Sequence, residues 1–304
     1  MTKKTQLKGT LILVLTAMLW GASFVSQNEG VKSIDAIAFN GIRSFMGAFA
    51  LIPVAVVTEL IKRKRGTYIK PTKKENKTLL TGGICCGIAL CTASTLQTMG
   101  VDAGAGVSAF ITAMYIVFVP VFGLFLKQKV QFKVWVAVML GMLGLYLICG
   151  SFKLKMNQIY LIACSVFFAV HILTVDYFSP KVNGVKLSCI QFFVVGIIDC
   201  TIMLFRGVPS FVDVISCGGS LLYAGIVSCA VAYTLQIIGQ QYTSPTAGSL
   251  AMSLESVFAV LSGWLIQGIV LEENEIIGCV IVFAAIILVQ IPDGIFRRKN
   301  KVNT

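Results

Sequence analysis

The sequence predicts an all-α integral membrane protein of ten transmembrane helices, built as two inverted five-helix repeats, residues 1–150 and 151–304. Three observations point there. Apolar residues make up 57% of the chain and charged residues only 12%, about half the charge of a soluble globular chain. The apolar residues fall into ten runs, each near the roughly 20 residues that a helix needs to cross a bilayer. Lys and Arg gather in alternate connections between the runs, the asymmetry that sets orientation in a membrane.

The first run, 9–28, follows Lys3, Lys4 and Lys8 and continues through Trp20 and Phe24. It is longer than the apolar region of a signal peptide and reads as a membrane helix. The second, 36–61, holds Arg43 and ends on Lys62-Arg63-Lys64-Arg65; the third, 79–99, ends on Leu96-Gln97. Runs 104–126 and 132–150 complete the first half. The second half comprises 158–179 with His171, 187–206 with Asp199, 218–239 with Gln236, 246–268 with Glu255, and 275–295. The connections are short except 62–78, and none is long enough for a soluble domain.

With the N-terminus in the cytoplasm, twenty Lys and Arg fall on inner segments and four on outer ones (Lys32, Lys153, Lys155, Arg206), with Arg43 inside a helix. A missing or extra helix would mix the two pools, so both termini are expected in the cytoplasm of a multi-pass cell-membrane protein. The basic stretch 62–78 is a topology signal that also meets anionic lipid headgroups. The net charge of +12 therefore does not indicate nucleic acid, since no exposed basic surface interleaved with aromatics is present. Nine of the ten cysteines sit in apolar runs and Cys217 at the edge of one, without zinc spacing; they read as small packing residues, and no metal or cofactor is expected. The chain has no GxxxxGK[ST] loop, which excludes ATP hydrolysis by the chain as the driving force.

The halves repeat. Leu96-Gln97-x-x-Gly100 matches Leu235-Gln236-x-x-Gly239; Val121-Phe122-Gly123 matches Val257-Phe258-Ala259; Trp20 and Arg43 align with Phe168 and Gln191. A unit of five helices is odd, so the second copy enters the membrane from the opposite side. Inverted repeats of this kind support alternating access, with a substrate site between the halves near the midplane. The expected function is secondary transport of a small organic molecule. The competing classes are a membrane-embedded enzyme, which would need a catalytic cluster such as HExxH or paired aspartates, and a non-transporting receptor or scaffold.

Particular segments carry a family resemblance. Ala17-Met18-Leu19-Trp20-Gly21-Ala22-Ser23-Phe24, Arg43-Ser44-Phe45, Pro120-Val121-Phe122, Thr243-Ser244-Pro245-Thr246-Ala247 and Ser253-Leu254-Glu255-Ser256-Val257-Phe258 together resemble the EamA-like drug/metabolite transporters. The resemblance covers nearly the whole chain as two EamA-type units. It implies ten helices, cytoplasmic termini and transport of small metabolites, often export of amino acids or related compounds. Two positions depart from the pattern. Ser256 stands where the family often has a helix-kinking proline, and Gln267-Gly268 where it often has Gly-Glu.

Ionisable groups at membrane depth cost roughly 2.5–3.5 kcal/mol on insertion scales, so each is a functional candidate. Arg43 is either a clamp for an anionic group or a tether to helix ends or a buried acid such as Glu255. Glu255 binds a substrate amine, takes a coupling proton, or partners Arg43 or His171. His171, the only histidine, is a proton-relay candidate or a hydrogen-bonded packing residue. Asp199 is expected to face a wet vestibule, while Glu59, Asp176 and Asp293 lie near inner helix ends within snorkelling reach. The neutral candidates are Trp20, Gln97, Thr112, Tyr115, Gln191, Gln236 and Ser253, as cavity wall or as helix cross-links. Gly83, Gly87, Gly141, Gly144 and Gly225 permit close helix approach, and the fifth and tenth helices offer a homodimer face.

Overall fold

In the computed structural model the described residues are 3–126, 132–149, 155–270 and 272–290, and they are almost wholly helical with no strand among them. In chain order the helices are α1 (Lys3–Gly30), α2 (Ala36–Lys64), α3 (Lys73–Gly100), α4 (Ala105–Phe125), α5 (Phe132–Cys149), α6 (Met156–Phe178), α7 (Gly184–Arg206), α8 (Gly218–Gln240), α9 (Pro245–Gln267) and α10 (Glu273–Gln290). Among the described residues eight helices, all but α5 and α10, are long and apolar enough to cross a membrane. The apolar stretches of α5 and α10 are shorter, Trp135–Gly144 and Ile276–Ala285. The predicted spans 132–150 and 275–295 run on beyond the described residues. Lys127, Lys129, Lys153, Asp293, Arg297, Arg298, Lys299 and Lys301 also lie outside them.

Several helices outrun their apolar cores because hydropathy registers only the lipid-facing stretch. α3 begins at Lys73, not 79, because Thr72 and Glu75 form a capping box: Thr72 Oγ1 accepts from the Glu75 N–H at 3.2 Å, and Glu75 Oε2 accepts from the Thr72 N–H at 2.7 Å. α7 starts on the Asn183 side chain, which accepts from the Lys186 N–H at 3.1 Å.

Two membrane helices are broken, a feature that apolar runs do not reveal. α4 divides into Ala105–Thr112 and Tyr115–Phe125, and α9 into Pro245–Met252 and Glu255–Gln267. At both breaks the backbone takes a tight i→i−3 step, with Ile116 N–H bonded to Ala113 C=O and Ser256 N–H bonded to Ser253 C=O. No proline stands at the α9 break. There Ser253 Oγ donates to Leu250 C=O at 2.9 Å and Ser256 Oγ to Ser253 C=O at 2.7 Å, the serine back-bonding that bends helices. The breaks lie 140 residues apart (Ala113 and Ser253), whereas the Val121 and Val257 match implies a separation of 136. α8 carries a π-helical stretch, Tyr223–Ala232, that α3 lacks.

The major contacts join the two halves: α2 with α7 and α8, α3 with α6 and α7, α1 with α8 and α9, α4 with α6, and α5 with α10. Close approach depends on glycine at defined points. A Cβ at Gly87 would lie 2.6 Å from Val194 on α7, and one at Gly47 would lie 2.6 Å from Cys229 on α8. The main core cluster draws Trp20 and Tyr115 from the first half and Phe168, Phe192 and Tyr233 from the second. Exposed apolar side chains such as Phe49, Val56, Leu60, Ile197 and Phe205 form the lipid-facing surface.

Candidate functional site

A narrow cavity lies where α1, α2, α3, α4, α6, α8 and α9 meet. Its free volume is about 20 Å³, room for about one water molecule. Seven of the residues singled out in the sequence line it: Trp20, Arg43, Gln97, Thr112, Tyr115, Gln236 and Glu255. The broken helices explain part of this convergence. Tyr115 and Glu255 are the first residues of the second segments of α4 and α9, so each break delivers a polar side chain to the cavity.

The lining is largely buried and partly unsatisfied. Trp20 Nε1, the Tyr115 hydroxyl, Gln236 Oε1 and Glu255 Oε1 have no partner that meets hydrogen-bond geometry. Glu255 faces the Tyr115 hydroxyl. Unpartnered buried polar atoms are uncommon because each forfeits its hydration. Here four of them border one cavity. Aromatic rings complete the wall: Trp20 and Tyr233 lie 4.6 Å apart between centroids, and Tyr115 and Phe168 6.5 Å.

Arg43 is tied to α2 and α3, not to Glu255. Its Nε and Nη2 donate to Asn40 Oδ1 at 2.9 and 2.7 Å, and Nη2 reaches Thr98 Oγ1 at 3.3 Å. Asn40 Nδ2 in turn donates to Asp199 Oδ2 at 2.5 Å and to Ser94 Oγ at 2.9 Å. Asp199 also accepts from Thr95 Oγ1 at 3.0 Å and from Cys91 Sγ at 3.4 Å. The expectation that Asp199 faces a wet vestibule is therefore corrected. It is fully buried, 0% exposed, and accepts hydrogen bonds from α2 and α3.

His171 and Gln191 lie behind the wall. His171 Nε2 and Gln191 Oε1 are 3.2 Å apart, and both side chains are fully buried. The His171 ring packs on Tyr233 at 6.1 Å between centroids, which connects it to the lining. Ser253 bonds its own helix at the α9 break. Among the described residues no cluster of His, Cys, Asp and Glu could hold a metal ion.

Sequence reasoning missed Asn40, Ser23, Phe24, Gln27 and Tyr233. The signal was present as helical spacing. Ser23, Phe24 and Gln27 stand three, four and seven residues after Trp20, on its face of α1; Asn40 is one turn before Arg43, and Tyr233 one turn before Gln236.

A profile of the EamA-like transporter family matches residues 7–150 and 156–291. The chain belongs to this family. As an EamA-like transporter it is a multi-pass membrane protein whose surroundings are a lipid bilayer and whose cargo is a small molecule. Among its relatives is an uncharacterized transporter of Archaeoglobus fulgidus, 27% identical over 290 residues, covering 94% of this chain and 87% of the relative. Another is the uncharacterized transporter YoaV of Bacillus subtilis, 22% identical over 295 residues, covering 92% and 96%. The protein PecM of Dickeya dadantii is 28% identical over 185 residues, covering 59% and 62%. A crystal structure 13% identical in sequence superposes with a TM-score of 0.70 over 96% of this chain and 99% of that one, a likeness of fold. Against the family pattern, Gln267 makes a definite contact at the end of α9: its Nε2 donates to Glu29 Oε1 at 2.6 Å and to Asn28 Oδ1 at 3.3 Å, both on α1.

Proposed function

We propose that this EamA-like transporter is a secondary transporter that moves a small organic metabolite across the cell membrane by alternating access, in the export direction. In this reading ten helices form two inverted repeats, residues 1–150 and 151–304, with both termini in the cytoplasm. The observation that carries it is the cavity itself, enclosed by residues of both halves: the matched pairs Trp20 with Phe168 and Gln97 with Gln236, together with Tyr115 and Glu255 from the two helix breaks. The contact pattern supports the same symmetry. Exchanging α1–α5 for α6–α10 turns the α3–α6 contact into α8–α1, α1–α9 into α6–α4, and α2–α8 into α7–α3, while α2–α7 and α5–α10 map onto themselves. A packing that is its own mirror under exchange offers two states of similar energy, open to opposite sides.

Glu255 is the proposed coupling group, with His171 behind it through Tyr233. The titratable groups around Glu255 are Tyr115 of α4, Cys164 of α6 and Tyr233 of α8. In proteoliposomes, Glu255→Gln is expected to abolish flux driven by a pH gradient while substrate exchange, measured at saturating substrate, persists. Undiminished driven flux in that variant would remove Glu255 from coupling.

A further inference from the structure

We propose that the cavity receives the ammonium group of a small organic amine that lacks a carboxylate, with Glu255 as its counter-ion and Trp20, Tyr115, Phe168 and Tyr233 as its walls. This rests on the transport reading and names the substrate class for it.

The first argument is charge. Three charged side chains are buried in this region: Arg43, Asp199 and Glu255. Asn40 joins two of them, accepting from Arg43 at 2.9 and 2.7 Å and donating to Asp199 at 2.5 Å. Arg43 and Asp199 therefore compensate each other across one amide. Glu255 has no basic side chain within ion-pair distance among the described residues. A buried carboxylate calls for a positive partner or a proton, and it faces the cavity.

The second argument is the wall. Aromatic faces carry negative electrostatic potential and attract a desolvated cation. Trp20 and Tyr233 pack at 4.6 Å between centroids beside the carboxylate, and Tyr115 and Phe168 close the site. The unpartnered acceptors, Gln236 Oε1 and Glu255 Oε1, suit the N–H groups of an ammonium, and the Tyr115 hydroxyl can accept from a third. A substrate carboxylate would meet repulsion from Glu255, while Arg43 already has its Nε and Nη2 engaged with Asn40 and Thr98. The free volume of about 20 Å³ is room for little more than an ammonium head. The organic tail then requires the site to open.

The test uses the full chain, purified in detergent for binding and reconstituted in proteoliposomes for flux. The probes are methylammonium, n-butylammonium and phenethylammonium, with phenylalanine and 2-phenylethanol as the zwitterionic and neutral counterparts of the last. Saturable binding of at least one amine is expected, with phenethylammonium preferred over phenylalanine and 2-phenylethanol by about tenfold or more. Glu255→Gln should weaken amine binding by about tenfold or more without improving phenylalanine. Asp199→Asn, which leaves Arg43 uncompensated, should weaken the amine and strengthen phenylalanine; Trp20→Leu, which removes an aromatic face from the wall, should weaken amine binding and keeps the test open if Asp199→Asn fails to fold. Binding of none of the three amines overturns the inference. Equal or better handling of phenylalanine or 2-phenylethanol overturns the amine class and leaves transport standing. Amine binding without flux leaves the site standing and overturns transport.

Discussion

Asn40 stands one turn before Arg43 on α2, so its carbonyl oxygen meets both Nε and Nη2 of the guanidinium while its amide reaches Asp199 on α7. An amide can do this because it accepts at one end and donates at the other. Placing it between the ions satisfies both without a direct contact, and Thr95, Ser94 and Thr98 of α3 supply the remaining bonds. Removing the bridge leaves two buried charges poorly paired. Asn40→Leu is therefore expected to cost about 3–5 kcal/mol, read as a fall in unfolding free energy in detergent. Arg43→Lys, which keeps the charge but loses the planar fork, should cost less, about 1–3 kcal/mol. Equal stability of wild type and Asn40→Leu would mean that the network adds nothing to the fold.

At the scale of elements, the two interrupted helices and the glycine contacts decide what reaches the cavity. A continuous α4 would wind the residues after Thr112 at 100° per residue and carry Tyr115 to a different azimuth. The tight step at Ala113-Met114 instead starts a new segment at Tyr115, and that at Ser253-Leu254 starts one at Glu255. Glu255 also lies in the first turn of its segment, where a carboxylate is favoured by the helix dipole. α3 and α7 hold the Asp199 network together only because they touch at Gly83 and Gly87. Gly87→Val should force the helices apart at Val194 and cost about 1–3 kcal/mol by overpacking. The measurement is monodisperse folded yield and melting temperature; a variant as stable as wild type would show that the interface has slack.

At the scale of the molecule, both ends of the bundle are latched between halves. At the end that bears the 62–78 connection, Glu59 of α2 pairs with Lys186 of α7 at 2.8 Å and with Arg63 at 2.7 Å. At the opposite end, Gln267 of α9 bonds Glu29 of α1, and Arg206 of α7 lies 3.7 Å from Asp35 before α2. The cavity is small in this conformation, and in the proposed cycle the latch on the side that opens must part for the site to reach solution. Inversion of the two halves, as proposed, makes a sharp topological prediction, because the α2–α3 and α7–α8 connections would correspond in the two halves yet face opposite sides. In a background without native cysteines, Val208→Cys should react with an impermeant maleimide in intact cells and Ile69→Cys only after permeabilisation. Labelling of both from one side would rule out inversion.

The sequence by itself determined the solvent of this protein, its helical class and most of its spans, because a bilayer imposes one demand, about 20 apolar residues per crossing, that is written locally along the chain. It also picked out Trp20, Arg43, Gln97, Tyr115, Gln236 and Glu255, since polar groups are conspicuous against lipid-facing runs. Only the tertiary structure decided which of these share a wall, that Arg43 answers to Asp199 through Asn40 instead of to Glu255, and that His171 and Gln191 turn to each other. Those outcomes depend on helix azimuth, on two breaks without a proline at either, and on contacts between segments more than a hundred residues apart. Hydropathy counts residues along a helix and carries no record of the direction in which each one points.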